Sequence, residues 1–244
     1  MTFDLSGRTA LVTGSTRGIG LALAQALAAA GARVVINGRT ADAVEAVAAG
    51  IEGAVASPFD ATDEVAVVWA VQALGQVDVL VNNTGMTIRR TLVDLEPDEW
   101  RQLLDVNVTS AFLVARAVAP GMIERGRGKI VNVCSVMSEL ARPTTGAYAA
   151  TKGALKMLTR AMCAEWAQHG IQANGIAPGY FRTDLNEALQ SDAEFDAWLR
   201  ARVPAGRWGE PSELGGAVVF LASSASDFVN GQLLFVDGGL SAVV

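Results

Sequence analysis

The sequence predicts a single-domain α/β fold, a doubly wound arrangement in which a mostly parallel sheet of about seven strands carries helices on both faces. Three observations lead to this prediction. Short runs rich in β-branched residues alternate with longer stretches of helical periodicity along the whole chain. Of its 244 residues, 51% are hydrophobic, which suits a sheet buried on both faces. No linker, repeat or low-complexity segment divides the sequence, so residues 1–244 are expected to form one domain.

The strands are predicted from apolar and β-branched runs that are bounded by turn-forming residues. In chain order they are Arg8–Thr13, Arg33–Asn37, Gly53–Ser57, Val77–Asn82, Lys129–Cys134, Ile171–Ile176 and Leu233–Val236. Helical patterns lie between the strands, and several open on Thr, Asp or Pro, which suit a helix N-terminus. These patterns begin near Gly18, Thr40, Thr62, Pro97, Tyr148 and Pro211. In such an alternation ligands bind outside the carboxyl ends of the strands, so the functional residues are expected there.

Charge and cysteine content argue against several classes of function. With 25 acidic and 19 basic residues, the net charge of −6 predicts no general attraction to nucleic acid or to an anionic membrane. Cys134 and Cys163 lack metal-ligand and disulfide spacing, which favours free thiols in a reducing, cytoplasmic compartment. The start, Met1–Gly7, lacks the pattern of a signal peptide, and no uninterrupted apolar run of about 18 residues occurs. Because His169 is the only histidine, neither a metal site nor a histidine triad is expected.

The first predicted strand leads directly into a glycine-rich segment, Thr13–Gly20, which an apolar helix follows. Gly14 can allow a tight turn, Gly18 lets backbone N–H groups approach a pyrophosphate, and Gly20 lets the helix pack closely on the strand. The helix N-terminus then faces the anion. The spacing Gly-x-x-x-Gly-x-Gly differs from the commoner Gly-x-Gly-x-x-Gly, so it predicts a variant Rossmann-type dinucleotide site. The alternative is a glycine-rich turn with a purely structural role.

The end of the second strand predicts which dinucleotide binds. An acidic residue there would bind the ribose 2′-hydroxyl and repel a 2′-phosphate, but the segment Asn37–Thr40 contains none. Arg39 is a forked cation in the right neighbourhood, and Arg17 in the glycine turn can be a second. The sequence therefore predicts NADP as cofactor, with NAD as the alternative. If both arginines are solvated surface charges, this preference has no basis.

Tyr148 and Lys152 form the candidate catalytic pair, because residues four apart on a helix lie on one face. A free phenol has a pKa of about 10, so a base that works near neutrality needs a phenolate preference of about 4 kcal/mol. The Lys152 ammonium, together with an oxidised nicotinamide, is the expected source of that preference. Tyr148 would then exchange a proton with a substrate hydroxyl, and Ser135 at a strand end would orient the substrate oxygen.

These residues resemble the short-chain dehydrogenase/reductase family over essentially the whole chain. Thr13–Gly20 is similar to the family's cofactor turn, Asn82-Asn83-Thr84-Gly85 resembles its Asn-Asn-Ala-Gly motif, and Ser135, Tyr148 and Lys152 match its catalytic spacing. The resemblance implies hydride transfer between a nicotinamide and an alcohol or ketone. It also implies a fourth catalytic residue, Asn107, which would hold a water that links Lys152 to solvent.

The same resemblance extends the predicted cofactor site. It implies that Lys152 also binds the nicotinamide ribose, that Asp60 contacts the adenine, and that Pro178, Gly179 and Thr183 position the carboxamide. With the arginines named above, the predicted cofactor-binding residues are Gly14, Ser15, Arg17, Gly18, Ile19, Gly20, Arg39, Asp60, Ala61, Asn83, Gly85, Tyr148, Lys152, Pro178, Gly179 and Thr183.

Three segments narrow the resemblance to sugar-acid dehydrogenases of this family, which implies the pair gluconate and 5-ketogluconate as substrates. They are Asn82–Arg90, Ala177–Thr183 and Pro204–Gly209. Arg89 or Arg90 could pair with the substrate carboxylate, although both could instead serve a subunit interface or solvent. The predicted substrate-binding residues are Arg89, Arg90, Ser135 and Tyr148. Family resemblance further implies a mobile lid over residues 180–202, an apolar tail Leu233–Val244 that packs between subunits, and a homotetramer.

Two alternatives stay open. A 3-oxoacyl carrier-protein reductase, or another ketone reductase of the family, would share every catalytic residue, and a basic docking patch for an acidic carrier protein would favour it. A nucleotide-sensing binding protein would keep the fold without the chemistry. The presence of Asn107, Ser135, Tyr148 and Lys152 together argues against that second alternative.

Overall fold

One parallel sheet organises the protein. The structure is a computed structural model that describes residues 2–243, apart from the side chain of Leu185. Met1 and Val244, which begin and end the predicted domain and tail, lie outside the described residues. Seven strands pair in the order β3-β2-β1-β4-β5-β6-β7. They are β1 Thr9–Val12, β2 Arg33–Gly38, β3 Val55–Pro58, β4 Val79–Asn82, β5 Gly128–Val133, β6 Ile171–Pro178 and β7 Leu233–Val236.

Nine α-helices are described in the same residues. They are α1 Gly18–Ala29, α2 Ala41–Ala49, α3 Glu64–Leu74, α4 Pro97–Leu104, α5 Ser110–Arg125, α6 Gly146–Trp166, α7 Glu187–Gln190, α8 Ala193–Arg202 and α9 Gly215–Ala222. A π-helical turn, Asp105–Thr109, joins α4 to α5 without a break. Short 3₁₀ turns precede or follow several helices, among them Asp184–Asn186 before α7 and Pro211–Leu214 before α9.

Alternate residues of the central strands bury their side chains on opposite faces of the sheet. In β1, Val12 packs into one cluster with Leu23 and Leu27 of α1, and with residues of α9. Leu11, the neighbouring residue, belongs to a second cluster that contains Met122 of α5. Both faces are therefore covered by helices, which confirms the predicted doubly wound arrangement.

The order of the strands reverses beside β1, which pairs with β2 on one side and with β4 on the other. At such a switch point the connections leave in opposite directions and a crevice opens beyond the carboxyl ends of the strands. The site described below lies in this crevice.

The predicted strands agree with the observed ones to within two residues at each end. The helical segments differ more. The helix predicted from Pro97 runs on to Arg125 through the π-helical turn, and the one predicted from Pro211 begins as a 3₁₀ turn. Side-chain periodicity marks where a helix faces the core, but a change in backbone winding leaves that periodicity almost unaltered.

The continuous helix over residues 97–125 is long and apolar enough to cross a membrane by length and composition alone. Half of its apolar window is buried inside the protein. A core helix meets the same criterion, so this segment carries no argument for a membrane.

Candidate active site

A cleft of about 1250 Å³ lies at the carboxyl edge of the sheet and joins most of the predicted site residues. The predicted residues that line it are Gly14, Arg17, Gly18, Ile19, Gly20, Arg39, Asp60, Ala61, Asn83, Gly85, Arg89, Ser135, Tyr148, Lys152, Pro178, Gly179 and Thr183. Three others do not line it, namely Ser15, Arg90 and Asn107. Within residues 2–243, no cluster of three or more His, Cys, Asp or Glu side chains is arranged to hold a metal ion.

The glycine turn owes its shape to contacts with the loop after β4. Gly14 has φ +60°, a left-handed conformation that favours glycine. A Cβ at Gly20 would lie 2.3 Å from the Gly14 carbonyl oxygen, so α1 could not approach the turn if a side chain were present. Asn83 Nδ2 donates to the carbonyl oxygens of Thr13 at 3.0 Å and Gly14 at 2.9 Å. Asn83 therefore braces the glycine turn.

Asn37, at the end of β2, braces the same turn from the other side. Its Oδ1 accepts the Gly14 N–H at 3.2 Å, and its Nδ2 donates to the carbonyl oxygens of Ser57 and Phe59, each at 3.1 Å. From the sequence, Asn37 had no expected role beyond leaving this position without a carboxylate. Its buried amide ties together the turn, β2 and the end of β3.

Ser15 is placed differently from the prediction. It is fully buried, its hydroxyl donates to the Val12 carbonyl oxygen at 2.7 Å, and its N–H donates to the Asn37 carbonyl oxygen at 2.9 Å. Both polar groups are thus used within the protein, and the side chain faces the strands instead of the cleft. A serine at this position suits either phosphate binding or a structural role within the turn. Only the direction of its side chain separates these two roles, and the sequence does not give that direction.

The turn fits a dinucleotide with an additional phosphate. Helix α1 begins at Gly18 and has no side-chain cap, so its first N–H groups stay available to an anion. Arg17 and Arg39 are exposed at this end of the cleft, and Arg17 lies 3.9 Å from Asp184 of the lid segment. The Thr62 N–H holds the pKa of Asp60 below its usual range, and the Arg39 charge adds a smaller effect, which places Arg39 near Asp60.

The catalytic candidates meet where β5 ends and α6 begins. Ser135 follows β5 by two residues, and its Oγ accepts the Met137 N–H at 3.1 Å. Tyr148 and Lys152 lie one turn apart on α6, with Lys152 Nζ 5.7 Å from the centre of the Tyr148 ring. Nζ also donates to the Val133 carbonyl oxygen at 2.7 Å, and this bond fixes the ammonium at the strand end.

Burial shifts both titratable groups of this pair toward their neutral forms. It raises the pKa of Tyr148 to about 12, although the neighbouring Ser135 hydroxyl offsets part of the rise, and it lowers the pKa of Lys152 to about 8. We expected the ammonium to lower the phenol pKa, and in the protein alone the direction is the opposite. The cost of removing the phenolate from water exceeds the stabilisation that the Ser135 hydrogen bond and the Arg89 charge supply.

Asn107 lies in the π-helical turn and is completely buried. Its Oδ1 accepts the Met86 N–H at 2.7 Å, and its Nδ2 donates to the Met86 carbonyl oxygen at 2.9 Å and to Thr151 Oγ1 at 3.0 Å. The side chain therefore connects the loop after β4 to the catalytic helix α6. That it holds a water for Lys152 stays a prediction.

Two arginines, Arg89 and Arg142, line the cleft near Tyr180, and only Arg89 was predicted. Arg89 lines the cleft and donates from Nη2 to Asn186 Oδ1 at 3.3 Å. Arg90 instead pairs through Nε with Glu99 of α4 at 2.9 Å and is exposed. Arg142 lines the cleft beside Arg89, and no motif in the sequence had singled it out.

The segment predicted as a lid, residues 180–202, is largely helical and closes one side of the cleft. It contains the 3₁₀ turn Asp184–Asn186 and helices α7 and α8. Tyr180 stands edge-on to Phe195, Trp198 and Trp208, with ring centres 5.6, 6.2 and 5.9 Å apart. Trp208 Nε1 donates to Asp196 Oδ1 at 2.7 Å, which attaches α8 to the loop that follows it.

Comparison with known proteins covers the chain from end to end. A family model described as enoyl-(acyl carrier protein) reductase matches residues 14–241. The gluconate 5-dehydrogenase of Gluconobacter oxydans (strain 621H) is 52% identical over 98% of this chain and 96% of that protein. The 5-keto-D-gluconate 5-reductase of Escherichia coli (strain K12) is 50% identical over 99% of this chain and 98% of that protein.

A solved structure matches this chain in fold and in length. A gluconate 5-dehydrogenase from Burkholderia cenocepacia J2315, in complex with NADP and tartrate, is 55% identical and has a TM-score of 0.97. The match covers 100% of this chain and 98% of that one. With the glycine turn, Ser135, Tyr148 and Lys152 all opening into one cleft, the resemblance proposed from sequence is confirmed, and the chain belongs to the short-chain dehydrogenase/reductase family.

Proposed function

We propose that this protein is an NADP(H)-dependent oxidoreductase that interconverts D-gluconate and 5-ketogluconate. The observation that carries the proposal is one continuous cleft lined by the glycine turn, by Tyr148 and Lys152, and by Arg89, whose charge lies near enough to act on the Tyr148 phenol. An alcohol held beside Tyr148 by a carboxylate on Arg89 has the character of a sugar acid. The full-length relatives that are about half identical, named for this substrate pair, support the same assignment.

In the proposed reaction Tyr148 moves the proton. During oxidation the phenolic oxygen accepts the proton of the substrate hydroxyl, and during reduction it returns that proton to the new hydroxyl. Ser135 donates a hydrogen bond to the substrate oxygen, and the Lys152 ammonium stabilises the phenolate from one helical turn away. When bound, NADP supplies the acceptor or donor of the hydride.

The cofactor preference rests on Arg39 and Arg17. Both lie at the end of the cleft that the glycine turn forms, and the end of β2 presents the buried amide of Asn37 in place of a carboxylate. A 2′-phosphate therefore meets positive charge and no acidic side chain at this strand end. The relative from Burkholderia cenocepacia, crystallised with NADP, supports this preference.

The test is to follow the absorbance of the reduced cofactor with D-gluconate, 5-ketogluconate and an acetoacetyl thioester, each with NADP and NAD forms. We expect turnover of the sugar acids in both directions and a preference for NADP that Arg39→Ala removes. Activity with the thioester alone would assign the protein to carrier-protein ketone reduction instead. Cofactor binding without turnover of any substrate would favour the nucleotide-sensing alternative.

We further propose a cytoplasmic homotetramer in which residues 180–202 move as a lid. The lid assignment is supported by Tyr180, Asn186 and Leu189, which line the cleft from that segment. The tetramer is supported by the position of β7 at the edge of the sheet, where Leu234 is partly exposed.

A further inference from the structure

Arg142 lies in the loop that leads into α6, and this loop runs beside the one that carries Arg89. The Arg90 N–H donates to the Thr144 carbonyl oxygen at 3.0 Å, which joins the two loops. Thr145 then holds the Arg142 carbonyl oxygen through its N–H at 3.1 Å and its hydroxyl at 2.9 Å. Both arginines therefore project from a connected pair of loops into one end of the cleft.

The charges of the two arginines are not balanced by the protein. Burial lowers the pKa of Arg89, and the neighbouring Arg142 charge lowers it further, so the two guanidinium groups repel each other. Within residues 2–243 neither is part of a salt bridge. Arg142 Nε is buried and donates to no described group. A pair of like charges with an unused buried donor is unfavourable until an anion enters between them.

The second contact of Arg142 is with the lid segment. Its guanidinium carbon lies 4.8 Å from the centre of the Phe195 ring, within the range of a cation–π interaction. Phe195 is on α8 and contacts Tyr180 and Trp208. A group that fixes Arg142 therefore also acts on Phe195 of α8, which packs against Tyr180 in the wall of the cleft.

We propose that Arg142 is a specificity-determining residue that binds the substrate carboxylate together with Arg89 and couples its binding to the position of α8. The inference rests on the proposed function and specifies how that site selects an acid. It concerns the substrate and not the cofactor phosphate, because Arg142 lies with Tyr180 and Arg89, whereas Arg17 and Arg39 serve the glycine-turn end.

The experiment compares D-gluconate with D-gluconamide, the neutral amide that keeps the same hydroxyl groups, at saturating NADP. In Arg142→Gln we expect KM for gluconate to rise by at least about tenfold, as the loss of a charge-assisted hydrogen bond implies, with KM for NADP nearly unchanged. KM for gluconamide should rise only by the smaller factor that loss of the Phe195 contact causes. Arg142→Lys should recover part of the loss because it keeps the charge. Arg33→Gln, an exposed arginine at the amino end of β2, is the control for loss of one positive charge.

Phe195→Leu separates the anion-binding role from the lid role, because it removes the aromatic partner and keeps the arginine. We expect this variant to raise KM for gluconate and for gluconamide by a similar factor. That factor should be smaller than the rise in KM for gluconate in Arg142→Gln. A KM for gluconate within twofold of wild type in Arg142→Gln overturns the proposal, as does an equal rise for gluconate and gluconamide. Failure of the wild-type protein to turn over gluconate would instead count against the proposed function itself.

Discussion

At the scale of single residues, burial shifts the pKa values of the proposed catalytic pair, Tyr148 and Lys152. The phenol of Tyr148, with a pKa raised to about 12, holds its proton more firmly than a free tyrosine, and Lys152, with a pKa lowered to about 8, gives up its proton more readily than a free lysine. Each group is therefore displaced toward neutrality by its surroundings. The phenolate needed for oxidation forms only when positive charge near the ring outweighs that cost.

The first prediction concerns the proton that Tyr148 carries. Tyr148→Phe removes one hydroxyl and almost no surface, so kcat should fall by about a thousandfold, in the range of general acid–base catalysis. The dissociation constant for NADP should change by less than about threefold. Turnover is measured by cofactor absorbance and binding by fluorescence titration. A variant that keeps a tenth of the wild-type rate would show that another group moves the proton.

The second prediction concerns the buried charge of Lys152. Its folded pKa of about 8 lies below the 10.5 of an ordinary lysine, so the unfolded state binds more protons across this window. The penalty is full below pH 8 and fades as pH rises to 10.5, so the contribution of this group to stability increases with pH. Between pH 7 and pH 10 the free energy of unfolding of wild type should rise by about 2 kcal/mol relative to that of Lys152→Met.

Urea unfolding of both proteins at the two pH values measures this difference. Subtracting the free energy of unfolding of Lys152→Met from that of wild type removes the contribution of groups that titrate in both proteins, Tyr148 included. Parallel pH dependence of the two proteins would mean that Lys152 keeps its proton in the folded state over the whole range.

Residues whose placement follows from type and spacing were predictable, and those whose placement depends on side-chain direction were not. Tyr148 and Lys152 share a helix face wherever that helix lies, so four-residue spacing was sufficient. Ser15 and Arg90 have suitable chemistry, but the backbone turns Ser15 into the strands and Arg90 toward Glu99. Arg142 reaches the cleft through a loop that follows no regular pattern, so the sequence did not identify it.

At the scale of elements, the glycine turn and the start of α1 behave as one packed unit. Gly20→Ala would place a methyl group 2.3 Å from the Gly14 carbonyl oxygen and 2.4 Å from Asn83 Nδ2. We expect a loss of about 1–3 kcal/mol in the free energy of unfolding, typical of overpacking, together with at least about tenfold weaker NADP binding. Denaturant unfolding and cofactor titration measure the two effects.

Gly216→Ala is the matched control for this variant. Gly216 is exposed on α9, and a Cβ there would meet nothing within 4 Å. The same substitution should raise the stability by about 0.5–1 kcal/mol, because alanine is the better helix former, and should leave cofactor affinity unchanged. If Gly20→Ala bound NADP as wild type does, the close approach of α1 to the turn would not be needed for the cofactor.

The strands were predictable because each one is a short buried run between turn-forming residues, and burial on both faces leaves a clear pattern in the sequence. The π-helical turn at Asp105–Thr109 was not, since one residue of additional winding changes no residue type. Yet that turn sets the direction of Asn107, which joins Met86 to Thr151. The lid segment was predicted as one span, residues 180–202, and its division into α7 and α8 was not predicted.

At the scale of the whole molecule, exposed apolar surface points to assembly. Strand β7 has no neighbour on its outer side among the described strands, and Leu234 on it is 37% exposed. An uncovered strand edge with apolar side chains is a surface that proteins cover by association. A contact at this edge joins two chains, and the homotetramer that the family resemblance implies needs a second contact surface as well. If that proposal holds, light scattering at micromolar concentration should give four times the chain mass of 25.4 kDa.

Leu234→Glu should lower that mass, because a carboxylate would be buried in the contact. Phe3→Glu, which replaces an exposed aromatic residue near the start of the chain, should leave it unchanged. A wild-type mass of one chain would exclude the tetramer. If the tetramer persists in Leu234→Glu, the contact lies on another surface, such as the exposed apolar residues of α3 and α5.

The two amide side chains that brace the glycine turn have a consequence for redesign. Asn37 and Asn83 hold the backbone from inside the protein with uncharged groups, while Arg39 stands two residues further on at the exposed rim of the cleft. If Arg39 sets the cofactor preference as proposed, loop geometry and the choice between the two nicotinamide coenzymes depend on different positions. An engineer who wishes to exchange one coenzyme for the other can vary Arg39 and leave the scaffold intact.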